Sequence, residues 1–404
     1  MILWGICPFC FMSGNLVYIQ SGGPTSVINT SLYGALMKAK SSHEIDHIYG
    51  SRYGIEGLIK DNLVDLGQYS DDELALLKQT PGAALGSSRK KISGDQESLQ
   101  KILETIEKRN IKYVLVNGGN DSMDTCAALA KLTHGKGIRI IGVPKTIDND
   151  LDFTHHCVGY PSACRHILNA VSSIIVDGSS YSKGKVTIIE VMGRDTGWLA
   201  ASTGLLEGKY RPDAILLPET KNIQIRDFCE HISKVYKEKG TAFVVVSEGV
   251  ELQREEVTGA DAFGHTSPEG VSISLAKTMK NEYGINCRYA ILSIPTRADP
   301  YSISEVDSKE AYEVGQKAVE LALSGESGLM VAIKNGAEEG YSPILFTIEA
   351  DKVANKVKFF PSHWYSFPNI VSEEFKNYLS PLLRGSIEVE LDSNGVSKKF
   401  ELKN

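Results

Sequence analysis

The sequence predicts a mostly parallel, doubly wound α/β fold, and two observations carry that expectation. Short, nearly continuous apolar runs recur at 15–20, 111–117, 138–143, 185–191, 214–217 and 241–247. Strands covered on both faces read in this way. Helical patterns fall between them, as at 27–40, 122–132 and 225–238. A terminal hairpin is expected from about residue 386, around the Asn-Gly step of Asp392-Ser393-Asn394-Gly395.

The chain has 404 residues, 42% hydrophobic and 23% charged, which suits a folded α/β protein with room for two domains. A net charge of -7 argues against a general nucleic-acid binder, which needs a basic face. No apolar run reaches the roughly 18 residues of a membrane span. Seven scattered cysteines do not form a disulfide framework, and a reducing cytoplasm is the expected compartment. Residues 1–11, with Cys7 and Cys10, read as an N-terminal extension, with Met12 as a plausible start.

Chemistry-bearing residues gather at strand ends, where open α/β sheets bind ligands. After the first strand comes Ser21-Gly22-Gly23-Pro24-Thr25-Ser26. Its glycines and the following helix N-terminus suit an anion, though such turns also serve structure alone. After 111–117 comes Gly118-Gly119-Asn120-Asp121-Ser122. One polar residue there would cap the helix, and the others are free for a ligand. After 138–143 comes Pro144-Lys145-Thr146-Ile147-Asp148-Asn149-Asp150. A cation, a hydroxyl and two carboxylates within six residues are the inventory of phosphoryl transfer. Met192-Gly193-Arg194 and Ser247-Glu248-Gly249 end later strands, and Arg288 and Arg297 flank an apolar segment. Arginine forks suit phosphate and glutamate suits sugar hydroxyls. Adjacent His155 and His156 in a strand would face opposite ways, so they are read as structural rather than as a shared metal site. The glycine fingerprint of a dinucleotide-binding dehydrogenase is missing.

From about residue 15 to 335 the strings GGPTSVIN, LGSSR, GGNDS, PKTIDND, EVMGR, PDAILLPE, SEG and SEVDSKEA stand in one order. In that order they resemble the phosphofructokinase family. The resemblance implies two similar α/β lobes with the active site in the cleft between them. Residues 12–159 plus about 297–346 would form the donor lobe, and 160–296 plus about 347–404 the sugar-phosphate lobe. It implies that Asp148 accepts the proton of the sugar 1-hydroxyl, with Thr146 and Asp150 beside it. Gly23 would approach the phosphoryl donor and Arg89 its phosphates. Met192, Gly193, Arg194 and Glu248 would form the sugar-phosphate site. Lys185, Arg288 and Arg297 would hold the 6-phosphate, some reaching from a neighbouring subunit of a homodimer or homotetramer.

Asp121 and Lys145 stand where ATP-using members have glycines, as GGDGS and PGTIDND, whereas pyrophosphate users resemble GGDDS and PKTIDND. Asp121 adds bulk and negative charge where a nucleotide's α-phosphate would lie, and Lys145 can offset charge on departing phosphate. The expected reaction is therefore Mg²⁺-dependent transfer between pyrophosphate and fructose 6-phosphate. An ATP-dependent enzyme and a catalytically weak regulatory paralogue are the alternatives. Two residues depart from the family. Asn120 replaces an aspartate assigned to Mg²⁺, leaving a neutral carbonyl ligand. Ile294 replaces a histidine or tyrosine near the 6-phosphate and forms no hydrogen bond.

Overall fold

The structure, a computed structural model, describes residues 13–220, 223–251 and 270–403. The N-terminal extension, with Cys7, Cys10 and Met12, lies outside the described residues.

In chain order the strands of the two large sheets are β1 (Gly14–Gln20), β2 (Ile45–Ser51), β3 (Leu63–Asp65), β4 (Ile111–Gly118), β5 (Arg139–Pro144), β6 (Val186–Val191), β7 (Ala214–Leu216), β8 (Ala242–Ser247), β9 (Cys287–Leu292), β10 (Leu329–Asn335) and β11 (Pro343–Glu349). The helices are α1 (Ile28–Lys40), α2 (Ile55–Ile59), α3 (Asp71–Ala75), α4 (Gln96–Lys108), α5 (Asn120–Leu132), α6 (Tyr160–Gly178), α7 (Trp198–Ser202), α8 (Ile225–Lys239), α9 (Val271–Tyr283), α10 (Glu305–Leu323), α11 (Ala350–Val353) and α12 (Glu373–Leu379). One sheet has the order β11-β10-β5-β4-β1-β2-β3 and the other β7-β8-β6-β9. Within these two sheets every pairing is parallel except β2 with β3 and β10 with β11.

Each sheet is covered on both faces, and the strands' period of two explains how. Leu16 and Tyr18 of β1 and Leu115 of β4 enter a core shared with α1 and α10. Val17 and Ile19, with Val114 and Val116, enter the opposite core against α2, α4, α5 and α11. In the second sheet Ile189 and Val191 pack against α6, α7 and α12, while Val186 and Ile188 pack against α8 and α9.

The expected strands are present with ends shifted by a residue or so. The hairpin at the C-terminus closes with Asp392 N–H donating to the Val396 carbonyl at 2.8 Å, flanked by a single Leu391–Ser397 bridge. Two expectations need correction. β11 and α11 carry the first lobe on to about residue 353, because α11 packs into the core under α5. Residues 360–383 then join the second lobe's core, but the last stretch returns to the first lobe. There Phe400, Ile387 and Leu402 are packed on the α1–α10 side. Gln79 Nε2 donates to the carbonyls of Glu390 (3.0 Å) and Lys398 (2.9 Å). His155 and His156 lie in a loop, not a strand, and their Nδ1 atoms meet at 3.1 Å.

The helices α1 and α10 touch through small residues. A Cβ on Gly315 would stand 2.0 Å from the Ser31 carbonyl oxygen, and one on Gly34 2.0 Å from that of Tyr312. Backbone cannot yield as a flexible side-chain tip can. Gly315→Val is therefore expected to destabilise the fold by about 1–3 kcal/mol or more. Urea unfolding checks this, and an unchanged midpoint would contradict so tight a crossing.

Candidate active site

The turn after β5 lies where the two lobes meet. Lys145 N–H donates to the Gly118 carbonyl (3.1 Å), and Thr146 N–H to Val158 (3.3 Å). Thr146 Oγ1 accepts from Asp148 N–H at 3.1 Å. Asn149 adopts a left-handed φ of 55°, which asparagine tolerates better than most residues. Its Oδ1 accepts from Cys157 N–H at 3.0 Å. From the second lobe, Thr196 Oγ1 donates to the Asp148 carbonyl at 3.1 Å.

The Lys145 side chain is buried, and its Nζ donates to the Gly23 carbonyl at 2.5 Å. Gly23 itself faces Arg297: a Cβ there would lie 2.9 Å from Nη1. Arg297 Nε is buried without a hydrogen-bond partner. Arg297, expected at the sugar 6-phosphate, has its guanidinium beside the Gly23 loop. The 3₁₀ turn Ile294–Arg297 at the carboxyl end of β9 aims it into the cleft. Arg89 is exposed on the loop before α4, close enough for its charge to act on Lys145.

Burial pulls both key groups toward neutrality from opposite sides. It lowers the Lys145 ammonium to about 8, against the raising influence of Asp148 and Asp150. It raises the Asp148 carboxyl to about 7, helped by the negative charges of Asp150 and Glu248. Burial also raises Asp150, opposed by hydrogen bonds from Thr146 and Asn120.

Asn120 opens α5, and its Nδ2 donates to Asp150 Oδ2 at 3.1 Å. The remaining oxygens of both side chains, Asn120 Oδ1 and Asp150 Oδ1, are buried without a partner. Among the described residues no group of three or more His, Cys, Asp and Glu side chains could hold a metal. Two orphaned oxygens do fit a hard divalent cation that takes its other ligands from substrate phosphates and water. Asp121 is exposed beside them and pairs with Lys91 at 2.9 Å.

Of the residues expected at the sugar phosphate, Met192, Gly193 and Arg194 follow β6 and Glu248 follows β8. Gly193 takes φ 125°, a conformation open to glycine, and its carbonyl accepts from Ser247 Oγ (2.5 Å) and Gly249 N–H (3.3 Å). These bonds tie the two strand ends together and leave Arg194 and Glu248 exposed. Lys185 and Arg288 are elsewhere. They are exposed at the amino ends of β6 and β9, where Arg288 pairs with Asp177 at 3.3 Å. A six-residue strand separates them from the cleft by roughly 20 Å.

Sequence reasoning missed Asp195, whose charge also acts on Asp148, although it directly follows the EVMGR string. It missed Lys358 and Tyr378 as well. Lys358 Nζ donates to Asn149 Oδ1 (3.3 Å), and Asn149 Nδ2 donates to Tyr378 Oη (2.9 Å). Neither stands in a motif, and more than two hundred residues separate them from the turn.

The phosphofructokinase family model matches residues 15–322. The pyrophosphate–fructose 6-phosphate 1-phosphotransferase of Halomonas elongata is 34% identical, with 96% of each chain covered. The crystal structure of a pyrophosphate-dependent phosphofructokinase from Marinobacter aquaeolei superposes with a TM-score of 0.85 at 33% identity, covering 97% of this chain and 96% of that one. The corresponding enzyme from Nitrosospira multiformis gives 0.84 at 31% identity, covering 97% and 99%. Likeness over nearly the whole length, with the Lys145–Asp150 turn set between two α/β lobes, means that the chain belongs to the phosphofructokinase family.

Proposed function

We propose that this chain transfers a phosphoryl group from pyrophosphate to the 1-hydroxyl of fructose 6-phosphate, reversibly and with Mg²⁺, giving fructose 1,6-bisphosphate and orthophosphate. The observation that carries this reading is the Lys145–Asp148 pairing of roles. One short turn sends an ammonium to the glycine loop at Gly23 and sets a carboxylate within the field of Glu248 and Asp195.

In the proposed mechanism Asp148 takes the proton of the 1-hydroxyl as its oxygen attacks phosphorus. The bond from that phosphorus to the bridging oxygen breaks, and orthophosphate leaves. Lys145, with Arg89 and Arg297, offsets charge on the departing anion. Thr146 and Asp150 hold the turn's shape through their hydrogen bonds. Asn120 and Asp150 would hold the Mg²⁺, whose chemistry there would be to offset charge on the phosphoryl oxygens. Met192, Gly193, Arg194 and Glu248 would bind the sugar phosphate.

The Lys91–Asp121 ion pair supports pyrophosphate over ATP. It joins the loop before α4 to the start of α5 and adds a carboxylate where a longer donor would continue. Lys185 and Arg288, exposed away from this chain's own cleft, are proposed to serve a neighbouring subunit's 6-phosphate in a homodimer or homotetramer. Tyr289 and Ile291, about half exposed on the same edge strand β9, support a covered edge there. The proposed compartment is cytoplasmic. Among the described residues no helix is long and apolar enough to cross a membrane, and the described cysteines are free.

Purified protein is expected to turn over fructose 6-phosphate with pyrophosphate in both directions and far more slowly with ATP. Faster turnover with ATP, or none with either donor, would refute the reading. Asp121→Gly with Lys145→Gly is expected to weaken pyrophosphate use and admit ATP, measured as the ratio of kcat/KM for the two donors. Asp148→Asn should lower kcat by at least about 10²-fold, and near-normal turnover would remove Asp148 from the base role. Arg288→Ala should raise KM for fructose 6-phosphate by about ten-fold or more, the scale of losing a charge-assisted bond to phosphate. An unchanged KM, or a monomer in light scattering, would contradict the shared site.

A further inference from the structure

We propose that Lys358 and Tyr378, from the segment following α11, are positioning residues that set the catalytic turn; this rests on the phosphotransferase reading above. The three donors of the Lys358 ammonium all go to the turn and the loop leaving it. They reach Asn149 Oδ1 (3.3 Å), the Thr154 carbonyl (3.1 Å) and the His155 carbonyl (3.1 Å). Its backbone adds a fourth tie, Lys358 N–H donating to the Asp150 carbonyl at 2.8 Å. Its own carbonyl accepts from Trp198 Nε1 at 2.9 Å, so the clamp is anchored on the second lobe. Tyr378 Oη accepts from Asn149 Nδ2 (2.9 Å) and donates to the His155 carbonyl (2.7 Å).

Asn149 is the pivot. It stands between Asp148 and Asp150 in a left-handed conformation, so any drift in its φ turns the two carboxylates relative to each other. Both ends of its amide are held by the late segment and by Cys157 N–H. A hydroxyl could close one such contact. Lys358 closes three at once and places its positive charge toward Asp150. A reacting carboxylate misplaced by about 1 Å costs on the order of 10²-fold in rate, which makes this clamp a determinant of turnover.

The test measures steady-state kinetics with pyrophosphate and fructose 6-phosphate for Lys358→Met and Tyr378→Phe, each alone and combined with Asp148→Asn. Melting temperatures are recorded to keep every assay well below unfolding. Lys358→Met is expected to lower kcat at least about ten-fold while KM for both substrates stays within about two-fold. In the Asp148→Asn background the same change should cost less than about two-fold, because residues acting through one group are not additive. Equal losses in both backgrounds would overturn the inference and leave a purely structural tie. So would an unaffected kcat, or a change confined to KM. Where Lys358→Met fails to fold, Tyr378→Phe decides by the same pattern with a smaller loss, about three-fold or more. A wild-type chain inactive with both donors would overturn the reading beneath this one. An active wild type with an unaffected variant overturns this inference alone.

Discussion

The fold turns on a problem of charge: a buried ammonium and two partly enclosed carboxylates stand within six residues. Isolated buried ions cost many kcal/mol, so each needs partners fixed in advance. Lys145 finds a carbonyl rather than a carboxylate as its direct partner, and Asp150 finds the Asn120 amide. Asp148, shifted up to about 7, is left poised rather than neutralised. Such a group exchanges its proton near neutral pH, which suits the proposed role of general base. Phosphates arriving beside Gly23 would add negative charge facing Lys145, Arg89 and Arg297.

Holding those partners in place takes both lobes, and the chain is routed accordingly. It passes from the first lobe to the second at α6, returns at α10, and crosses twice more before its end. The crossings are locked by buried polar contacts. Asp307 of α10 accepts from Gly159 N–H (2.8 Å), Ser162 N–H (3.1 Å) and Ser162 Oγ (2.5 Å) at the start of α6. Burial raises that carboxyl to about 6 despite three donors. His156 Nε2 meets Glu310 Oε2 of the same helix at 2.6 Å, both fully buried. Mutual position of the lobes is therefore written into α10, whose other face crosses α1 through Gly315. A cleft built this way keeps its opposing walls in register without a long linker.

Much of this was legible because parallel strands buried on both faces announce themselves by composition, and because strand ends concentrate polar residues. The runs ending at Val143 and Val191 could be read from sequence alone, and with them the turn that carries Asp148. Less regular segments were not legible. β9 alternates between half-buried and exposed positions at the sheet edge, so Tyr289 and Ile291 resemble a surface loop as much as a strand. His155 and His156 were weighed as strand neighbours because no local feature distinguishes an extended loop from a strand. The destination of the last fifty residues is a matter of tertiary contact. Phe400 and Lys358 carry no periodic signal that would place them against the first-lobe core and the 145–150 turn. Arg297 was read toward the sugar phosphate by resemblance, and only the direction of its 3₁₀ turn sends it to Gly23.

The two departures from the family pattern take on different weights in this geometry. Ile294 is 63% exposed, so the hydrogen bond it cannot form leaves no buried group unpaired, and the fold is indifferent to it. Its effect must be confined to affinity for whatever reaches that surface. Asn120 is the opposite case. An aspartate there would set a third carboxylate against Asp150 and near Asp148, with the Lys145 and Lys358 ammoniums as the balancing charges. Like charges so close in a buried site drive each other toward protonation. The asparagine amide instead donates to Asp150, which a carboxylate could not do, while its carbonyl oxygen stays available. Negative charge is thereby removed from the protein side of the donor site, and attraction for a divalent cation shifts onto the oxygens of the pyrophosphate that accompanies it.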